Sequence, residues 1–384
     1  MRRVRLGDVC RIVSGSTPKS GNPDFWGGAI PWVTPAELDD ESHWVFRTDR
    51  YLTETGFDSA SLHMMPIGTV LLSTRAPIGK TAIAGVEMCC NQGFKNLVCG
   101  DEIDCEYLYR FLKSNTSMLQ ALGRGATFKE LSKREIERFE IPLPPLERQR
   151  ECTSRLDAID NEIARARTLS MALDELVKSR FVEMFGIPIE PHDSWAFDRI
   201  DAFCDVITGN TPSRKRPEFY GDYLEWIKTD NITDAAYLTE ASEKLSELGT
   251  GAGRIAPAGS VLMACIAGSV KSIGKVAIAD RSVAFNQQIN ALVPHEGTIE
   301  TEYLLWMLRL SKEYLCSDIN MQLKGILNKS NLSKKAFSVP PLSLQQEFAA
   351  FVQQVDKLKF ETQQAIDKLQ MLYDSLAQEY FATD

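Results

Sequence analysis

Side chains that can bind the edges of DNA bases are concentrated in two parts of this chain. Arginine and lysine pair with guanine, asparagine and glutamine with adenine, and aspartate with cytosine, while basic side chains also contact phosphates. Residues of these types on predicted loops and strand edges are Arg75, Lys80, Asn91, Gln92 and Lys95 in the first part, and Arg214, Lys215, Arg216, Lys228, Asp230, Asn231, Lys271, Lys275, Asn286, Gln287 and Gln288 in the second. They predict contact with double-stranded DNA, and for each residue a structural role is the alternative.

One short motif could belong to an enzyme. Asn22-Pro23-Asp24-Phe25 resembles the Asn-Pro-Pro-Tyr/Phe element with which amino-methyltransferases hold the amino group of a flipped base. The matching stretch later in the chain, Arg216-Pro217-Glu218-Phe219, lacks the asparagine, and no glycine-rich cofactor loop follows a clear strand. The alternative is a loop that leads into a strand. A stand-alone DNA methyltransferase is therefore the second hypothesis for the function.

Signals for nucleotide and metal sites are weak. Gly79-Lys80-Thr81 resembles the end of a phosphate-binding loop, but Thr74 stands where such a loop needs its first glycine. The four histidines are scattered and no Cys-x-x-Cys occurs. We therefore expect no catalytic residue, metal or cofactor in this chain.

Length and composition limit the class of protein. At 384 residues, with 44% hydrophobic and 25% charged residues, the chain has the size and composition of two or three globular domains. No apolar run approaches the roughly 18 residues of a membrane span, and the basic N-terminus has no apolar signal segment. The nine cysteines follow no disulfide framework. We expect a cytoplasmic protein with free thiols and no membrane contact.

The net charge of −9 argues at first sight against nucleic acid, and it motivates a third hypothesis, an adaptor that binds only protein. The acidic excess falls mainly on residues 147–193 and 343–384, which together carry a net charge of −7. These regions contain two long stretches, residues 147–185 and 343–381, without proline or glycine. Apolar residues recur there at spacings of three and four, as in coiled coils. The regions outside these stretches are nearly neutral, which is compatible with local basic surfaces.

The chain contains one module twice. Gly15, Thr17-Pro18, Trp32, Asn91-Gln92 and Pro144-Pro145 recur in the same order as Gly209, Thr211-Pro212, Trp226, Asn286-Gln287 and Pro340-Pro341. Each copy mixes short strands with helices, including one predicted over 106–119 and its counterpart over 302–315. We predict an α+β fold with a first copy (residues 1–146), a helix (147–185), a linker (186–193), a second copy (194–342) and a second helix (343–384).

The linker constrains how the two helices pair. Its eight residues span at most about 28 Å, so the second copy must lie near the end of the first helix, which is about 58 Å long. The helices should therefore form an antiparallel coiled coil with one copy at each end. Such a protein suits two separated half-sites on DNA, and because the copies differ in sequence, the half-sites should differ. Positions shared by both copies, such as Asn91 and Asn286, are expected to be structural.

These features resemble the specificity subunit of type I restriction-modification enzymes over essentially the whole chain. The resemblance rests on the paired G-x-T-P openings that lead to Trp32 and Trp226, and on the P-P-L-x-x-Q helix starts at Pro144 and Pro340. It implies a non-catalytic DNA reader whose helices dock two modification subunits that bind S-adenosylmethionine, with restriction subunits that use ATP and Mg joining the complex. Matching helix positions are candidates for docking: Gln149, Ser179, Glu183 and Phe185, with Gln345, Ser375, Glu379 and Phe381.

Overall fold

The computed structural model describes residues 2–39, 41–123, 130–266, 272–317 and 326–382. Lys271, one of the predicted DNA contacts, lies outside these residues. The chain divides into two compact units, one formed by Met1–Arg167 with Gln364–Asp384 and the other by Thr168–Gln363. Each unit therefore contains one copy of the repeated module and parts of both long helices.

The first copy consists of short strands and helices followed by a long helix. Its strands are β1 (Arg3–Arg5), β2 (Cys10–Ser14), β3 (Trp26–Val33), β4 (Trp44–Val45), β5 (Arg50–Leu52), β6 (Val70–Leu72), β7 (Thr81–Ala84), β8 (Cys89–Cys90), β9 (Lys95–Cys99) and β10 (Glu140–Pro142). Its helices are α1 (Leu6–Val9), α2 (Glu54–Asp58), α3 (Cys105–Ser114), α4 (Thr116–Leu122) and α5 (Lys133–Arg138), and the long helix is α6 (Leu146–Phe185).

The second copy has a similar succession of elements. Its strands are β11 (Ala196–Arg199), β12 (Cys204–Thr208), β13 (Tyr220–Gly221), β14 (Leu224–Ile227), β15 (Lys244–Leu245), β16 (Ile255–Ala256), β17 (Val261–Ala264), β18 (Val276–Ile278), β19 (Val283–Phe285), β20 (Ile289–Pro294) and β21 (Ala336–Val339). Its helices are α7 (Ile200–Phe203), α8 (Glu247–Thr250), α9 (Thr301–Leu310), α10 (Lys312–Cys316) and α11 (Lys329–Lys334), and the second long helix is α12 (Leu342–Phe381).

The strands pair in corresponding orders in the two copies. The first copy has sheets β2-β9-β6-β7-β4 and β5-β3-β8, and the second has β12-β20-β17-β18 and β13-β15-β14-β19-β16. In each copy the first and last strands also pair, β1 with β10 and β11 with β21, which brings the two ends of the copy together. The duplication and the α+β class predicted from the sequence are confirmed.

The central sheet of each copy is buried on both faces, with side chains alternating between two cores as the strand geometry requires. In the first copy Val70 and Leu72 pack with Tyr107 of α3, whereas Leu71 packs with Phe94 on the opposite side. In the second copy the residues of β17 alternate in the same way between two cores. The sheet thus supports a helix layer on one side and the loop-bearing strands on the other.

The two long helices run antiparallel within each unit. In the first unit the start of α6 shares a core with the end of α12, through Leu156 and Phe381. In the second unit the end of α6 meets the start of α12, and the ring centroids of Phe181 and Phe348 lie 5.3 Å apart. Both helices begin one residue earlier than predicted, and the predicted antiparallel pairing is confirmed.

Each of the two shorter helices predicted over 106–119 and 302–315 is broken in the structure, so this prediction was wrong in part. The breaks fall at Asn115 and Ser311, whose backbone angles are nearly the same, with φ of −103° and −104° and ψ of 18°. The Asn115 amide Nδ2 donates to the backbone oxygen of Phe111 over 2.9 Å. The backbone N–H of Asn115 donates to the same oxygen over 3.1 Å, so both groups of Asn115 bond to the last turn of α3.

Candidate nucleic-acid interface

The loop that follows β2 or β12 packs closely on the segment that bears the Asn-Gln pair. Gly15 N donates to the backbone oxygen of Phe94 over 3.3 Å. A Cβ on Gly15 would lie 1.9 Å from the backbone oxygen of Asn91, and a Cβ on Gly209 would lie 2.2 Å from that of Asn286. Only glycine fits either position, which explains why the G-x-T-P motif occurs in both copies.

The same loop holds the glutamine of each Asn-Gln pair. The Thr17 hydroxyl donates to Oε1 of Gln92, and the Thr211 hydroxyl donates to Oε1 of Gln287. Both glutamines are exposed. Because the amide oxygen is engaged, the NH₂ group is the part of each side chain that can donate to a ligand.

An aromatic pair lies beside this loop in each copy. The rings of Trp26 and Trp32 meet edge to face with centroids 5.0 Å apart, and those of Tyr220 and Trp226 do so at 6.2 Å. The buried indole of each pair donates from Nε1 to a backbone oxygen of the loop, over 3.0 Å in the first copy and 3.2 Å in the second. The structural role predicted for Trp32 and its counterpart is confirmed.

One guanidinium lies on each aromatic pair, and it comes from different positions in the two copies. Arg50 of β5 lies 3.4 Å from the ring centroid of Trp26. Arg214, in the loop before β13, lies 4.4 Å and 5.0 Å from the two rings of the second pair. No motif singled out Arg50 in the sequence. The β3–β5 register, which places Arg50 across from Trp32, brings it to the aromatic pair.

The predicted basic contacts of the first copy are not equally accessible. Arg75 is half exposed, and its Nε lies 3.2 Å from Glu130 Oε2. The Lys95 side chain is only 13% exposed and its Nζ lies 3.7 Å from the same carboxylate. Lys80 Nζ donates to two backbone oxygens, of Pro35 and Leu38. Both lysines therefore have internal partners, whereas Arg75 lies at the surface, and contact of the lysines with DNA stays a prediction.

In the second copy, cations surround one carboxylate. Glu243 pairs with both Arg214 and Lys228, and hydrogen bonds from these side chains lower the pKa of Glu243 to about 2. Arg216 pairs with a neighbouring glutamate over 2.7 Å, and Lys275 pairs with an aspartate over 2.9 Å. The predicted contacts that lie exposed in this copy are Arg214, Lys215, Arg216, Asp230 and Gln287.

Several predicted amide contacts are instead engaged within the fold. Asn91 and Asn286 each accept a hydrogen bond from the backbone N–H two residues later, over 2.7 Å and 3.0 Å. Asn231 accepts from the backbone N–H of Lys228 over 3.0 Å, and Gln288 accepts from Asn286 Nδ2 over 3.2 Å. These bonds give all four side chains roles within the fold, and Asn231 and Asn286 are also buried. Their contact with DNA stays a prediction. The bonds also agree with the expectation that shared positions such as Asn91 and Asn286 are structural.

Four of the residues predicted to dock a partner are buried, namely Gln149, Phe185, Gln345 and Phe381. Gln149 Oε1 accepts from the backbone N–H of Asp104 over 2.9 Å, and its Nε2 donates to two backbone oxygens over 2.9 Å and 2.8 Å. Gln345 makes the corresponding contacts in the second unit. These glutamines tie each long helix to its own copy, and burial gives all four side chains structural roles.

The other predicted docking residues lie exposed in a pattern that both helices repeat. Ser179 and Glu183 on α6 correspond to Ser375 and Glu379 on α12, and all four are exposed. Leucines precede them at equivalent positions, Leu176 and Leu372, and each of these leucines is 48% exposed. We call these two sets of three residues the repeated stripes.

Other functions find no support in the part of the chain that the structure describes. Its histidine, cysteine, aspartate and glutamate residues form no group of three or more that could hold a metal ion. None of its helices is both long enough and apolar enough to span a bilayer. Asn22 caps the 3₁₀ turn Pro23–Phe25 by accepting from Asp24 N over 3.2 Å, so the motif that resembles a methyltransferase element is a capped turn that leads into β3.

Comparison with known proteins identifies the class. The profile of the type I restriction modification DNA specificity domain matches residues 1–171 and again residues 192–371. The chain therefore belongs to this family and contains two recognition domains. Homologues in the family are named specificity subunits, which are the non-catalytic subunits of their complexes, and this supports the first hypothesis over a stand-alone methyltransferase.

Individual relatives match over nearly the full length. The chain is 26% identical over 397 aligned positions to the type I restriction enzyme MjaIX specificity subunit of Methanocaldococcus jannaschii, covering 97% of this chain and 90% of the relative. The MjaVIII specificity subunit of the same organism is 22% identical, covering 92% and 86%.

Two solved structures share the fold. One comes from a study of complex assembly and conformational transition of the type I R-M system, with a TM-score of 0.67, 22% identity, and coverage of 99% of this chain and 97% of that chain. The other is a type I restriction-modification system S subunit from M. genitalium, with a TM-score of 0.56, 13% identity, and coverage of 100% and 96%.

Proposed function

We propose that the chain reads a bipartite, asymmetric DNA sequence, with one half-site for each copy. The observation that supports this proposal most directly is that the two copies share a strand order but differ in the side chains of their loop surfaces. The guanidinium on the aromatic pair, for example, comes from Arg50 in one copy and from Arg214 in the other. A common fold with different surface chemistry suits two different half-sites. The domain boundaries proposed here are residues 1–146 and 194–342.

A domain exchange tests this proposal. Residues 194–342 are replaced with the matching domain of a related subunit, and methylated adenines are mapped in a host genome that expresses the hybrid complex. The half-site of the second copy should change while the half-site of the first copy and the gap between them remain. A change in both halves would mean that the copies read DNA jointly.

The repeated stripes support a second part of the proposal, docking of two modification subunits. Leu176, Ser179 and Glu183 follow one another at spacings of three and four, so they lie on one face of α6, and the second stripe does the same on α12. Few other exposed positions match between the two helices. A leucine, a serine and a glutamate that are repeated at the exposed surface of both helices suit one kind of partner that binds twice.

The rest of the proposed assembly follows from this docking. The modification subunits would bind S-adenosylmethionine and methylate adenine, and restriction subunits would add cleavage that depends on ATP and Mg. The cytoplasm is the proposed location, with the cysteines as free thiols.

The docking test uses one charge substitution in each stripe. Leu176→Glu should leave a complex with one modification subunit in place of two, Leu372→Glu should do the same, and the double variant should bind none. Met171→Glu is the matched control, because Met171 is 74% exposed on α6 but is not repeated on α12. Native mass spectrometry measures the stoichiometry. Full occupancy in the double variant would exclude the stripes as the docking surface.

A further inference from the structure

Two equivalent positions beside the aromatic pairs have opposite charges. Arg50 lies across from Trp32 in the β3–β5 register. In the second copy the β14–β15 register, continued by one residue, places Glu243 across from Trp226. The backbone N–H of Trp226 donates to the Glu243 backbone oxygen over 3.0 Å. An arginine in one copy therefore occupies the place of a glutamate in the other, on the same scaffold.

The surroundings of the two positions explain which charge is neutralised. Glu243 pairs with Arg214 and Lys228, so the guanidinium on the second aromatic pair is already matched by a carboxylate. In the first copy, serine and threonine stand where Arg214 and Lys228 stand in the second. Arg50 has no carboxylate within ion-pairing distance among the residues that the structure describes. It is thus the positive charge on the first aromatic pair that is left for a ligand.

Arg50 also belongs to the surface that contains Gln92. Trp32 donates to the backbone oxygen of Ser16, and the next residue, Thr17, donates to Gln92. The guanidinium of Arg50, whose Cζ lies 3.4 Å from the Trp26 ring centroid, carries its N–H groups in one plane. This planar fork matches an acceptor with two atoms such as the O6 and N7 edge of guanine or a phosphate. Contact with Trp26 therefore holds in place a group that is suited to bidentate binding.

We propose that Arg50, held on Trp26, reads the acceptor edge of a guanine in the half-site of the first copy. This inference rests on the proposed function. A base contact fits better than a phosphate contact because both half-sites offer the same phosphates, whereas this position changes from arginine to glutamate between the copies. Position 50 in the first copy, and its equivalent 243 in the second, are accordingly specificity-determining positions.

The test measures sequence preference with the full chain in complex with its modification subunits. Duplexes with randomised positions are selected by the wild-type complex and by variants, and the bound fractions are sequenced. Arg50→Ala should reduce discrimination at one guanine position of one half-site by about 5- to 100-fold, while the other half-site is unchanged. Arg50→Lys should lose most of that discrimination too, because lysine keeps the charge but not the planar pair of donors.

The control and the opposing outcomes separate this inference from the proposed function. Arg47→Ala removes an exposed charge from the same connection but lies off the aromatic pair, so base preference should be preserved. If Arg50→Ala binds all sequences more weakly by the same factor, the contact is to phosphate and the inference is overturned. The inference is also overturned if a folded Arg50→Lys complex keeps the base preference of the wild type. A wild-type complex without any bipartite preference would instead refute the proposed function itself.

Discussion

Replacing Gln149 or Gln345 with alanine should destabilise the unit that contains it, although a sequence pattern alone places both residues on a docking surface. Gln149 joins α6 to the segment before α3, accepting from Asp104 N and donating to the backbone oxygens of Glu102 and Pro144. Removing the side chain breaks three hydrogen bonds at once.

The size of the effect follows from the exposure of the groups that remain. Asp104 and Glu102 are partly or fully exposed, so water can replace their lost partners at a cost of about 1 kcal/mol each. Pro144 is buried, and its unsatisfied carbonyl should cost about 1–3 kcal/mol. Together these costs come to about 3–5 kcal/mol of unfolding free energy, or roughly 6–20 °C in the melting temperature of a unit of this size.

Calorimetry measures the change in melting temperature, and hydrogen exchange shows which of the two units is destabilised. Gln149→Ala should lower protection in α3, and Gln345→Ala should lower it in α9. Gln354→Ala is the matched control, since this glutamine is exposed on α12 and its loss should be nearly neutral. The reasoning is refuted if both variants melt like the wild type yet fail to bind modification subunits, because the glutamines would then belong to the docking surface.

Three further outcomes are expected. Arg110→Met should lower the free energy of unfolding by about 2–3 kcal/mol, as measured with denaturant. This is less than the loss of a fully buried pair, because its partners Asp157 and Asp160 are about half exposed and water can hydrate them. A change below about 0.5 kcal/mol would contradict this reasoning. Glu243→Gln should be less stable than the wild type at neutral pH, because the folded-state pKa of Glu243 lies below its ordinary value. The difference in stability should shrink as the pH falls from about 4.5 to about 2. If thermal melts show a difference that does not depend on pH, the ion pairs are not its cause. DNA affinity of the assembled complex should fall steeply with salt, because phosphate contacts release counterions, and an affinity that is flat between low and high salt would contradict a basic interface.

Periodic features of this fold were predictable, whereas contacts that depend on register were not. Apolar spacing located the starts of α6 and α12 to within one residue, since a buried stripe must follow the helical repeat. The inward direction of Gln149 could not be inferred, because polar side chains on a helix carry no signal of burial. Arg50 was missed for a related reason: its place on Trp26 depends on which residue of β5 faces which residue of β3 across a bulged pairing.

The sequence indicated which types of residue could contact DNA, but only some of the residues chosen in this way lie at the surface. Arg75 and Gln92 lie on the expected surface, but Lys80 has the same charge and loop position and is turned inward by two carbonyls. Nothing in the local sequence distinguishes Lys80 from Arg75, because the carbonyls come from residues more than forty positions away.

The division of the chain into two units has a consequence for its biosynthesis. The second unit is one continuous stretch, Thr168–Gln363, whereas the first combines Met1–Arg167 with Gln364–Asp384. At about 5–20 residues per second, the ribosome needs roughly 10–40 s after Arg167 before it supplies Phe381, which fills the core of the first unit. The part that is made first is therefore completed last, and a nascent chain should expose the apolar face of α3 and early α6 to chaperones throughout that interval.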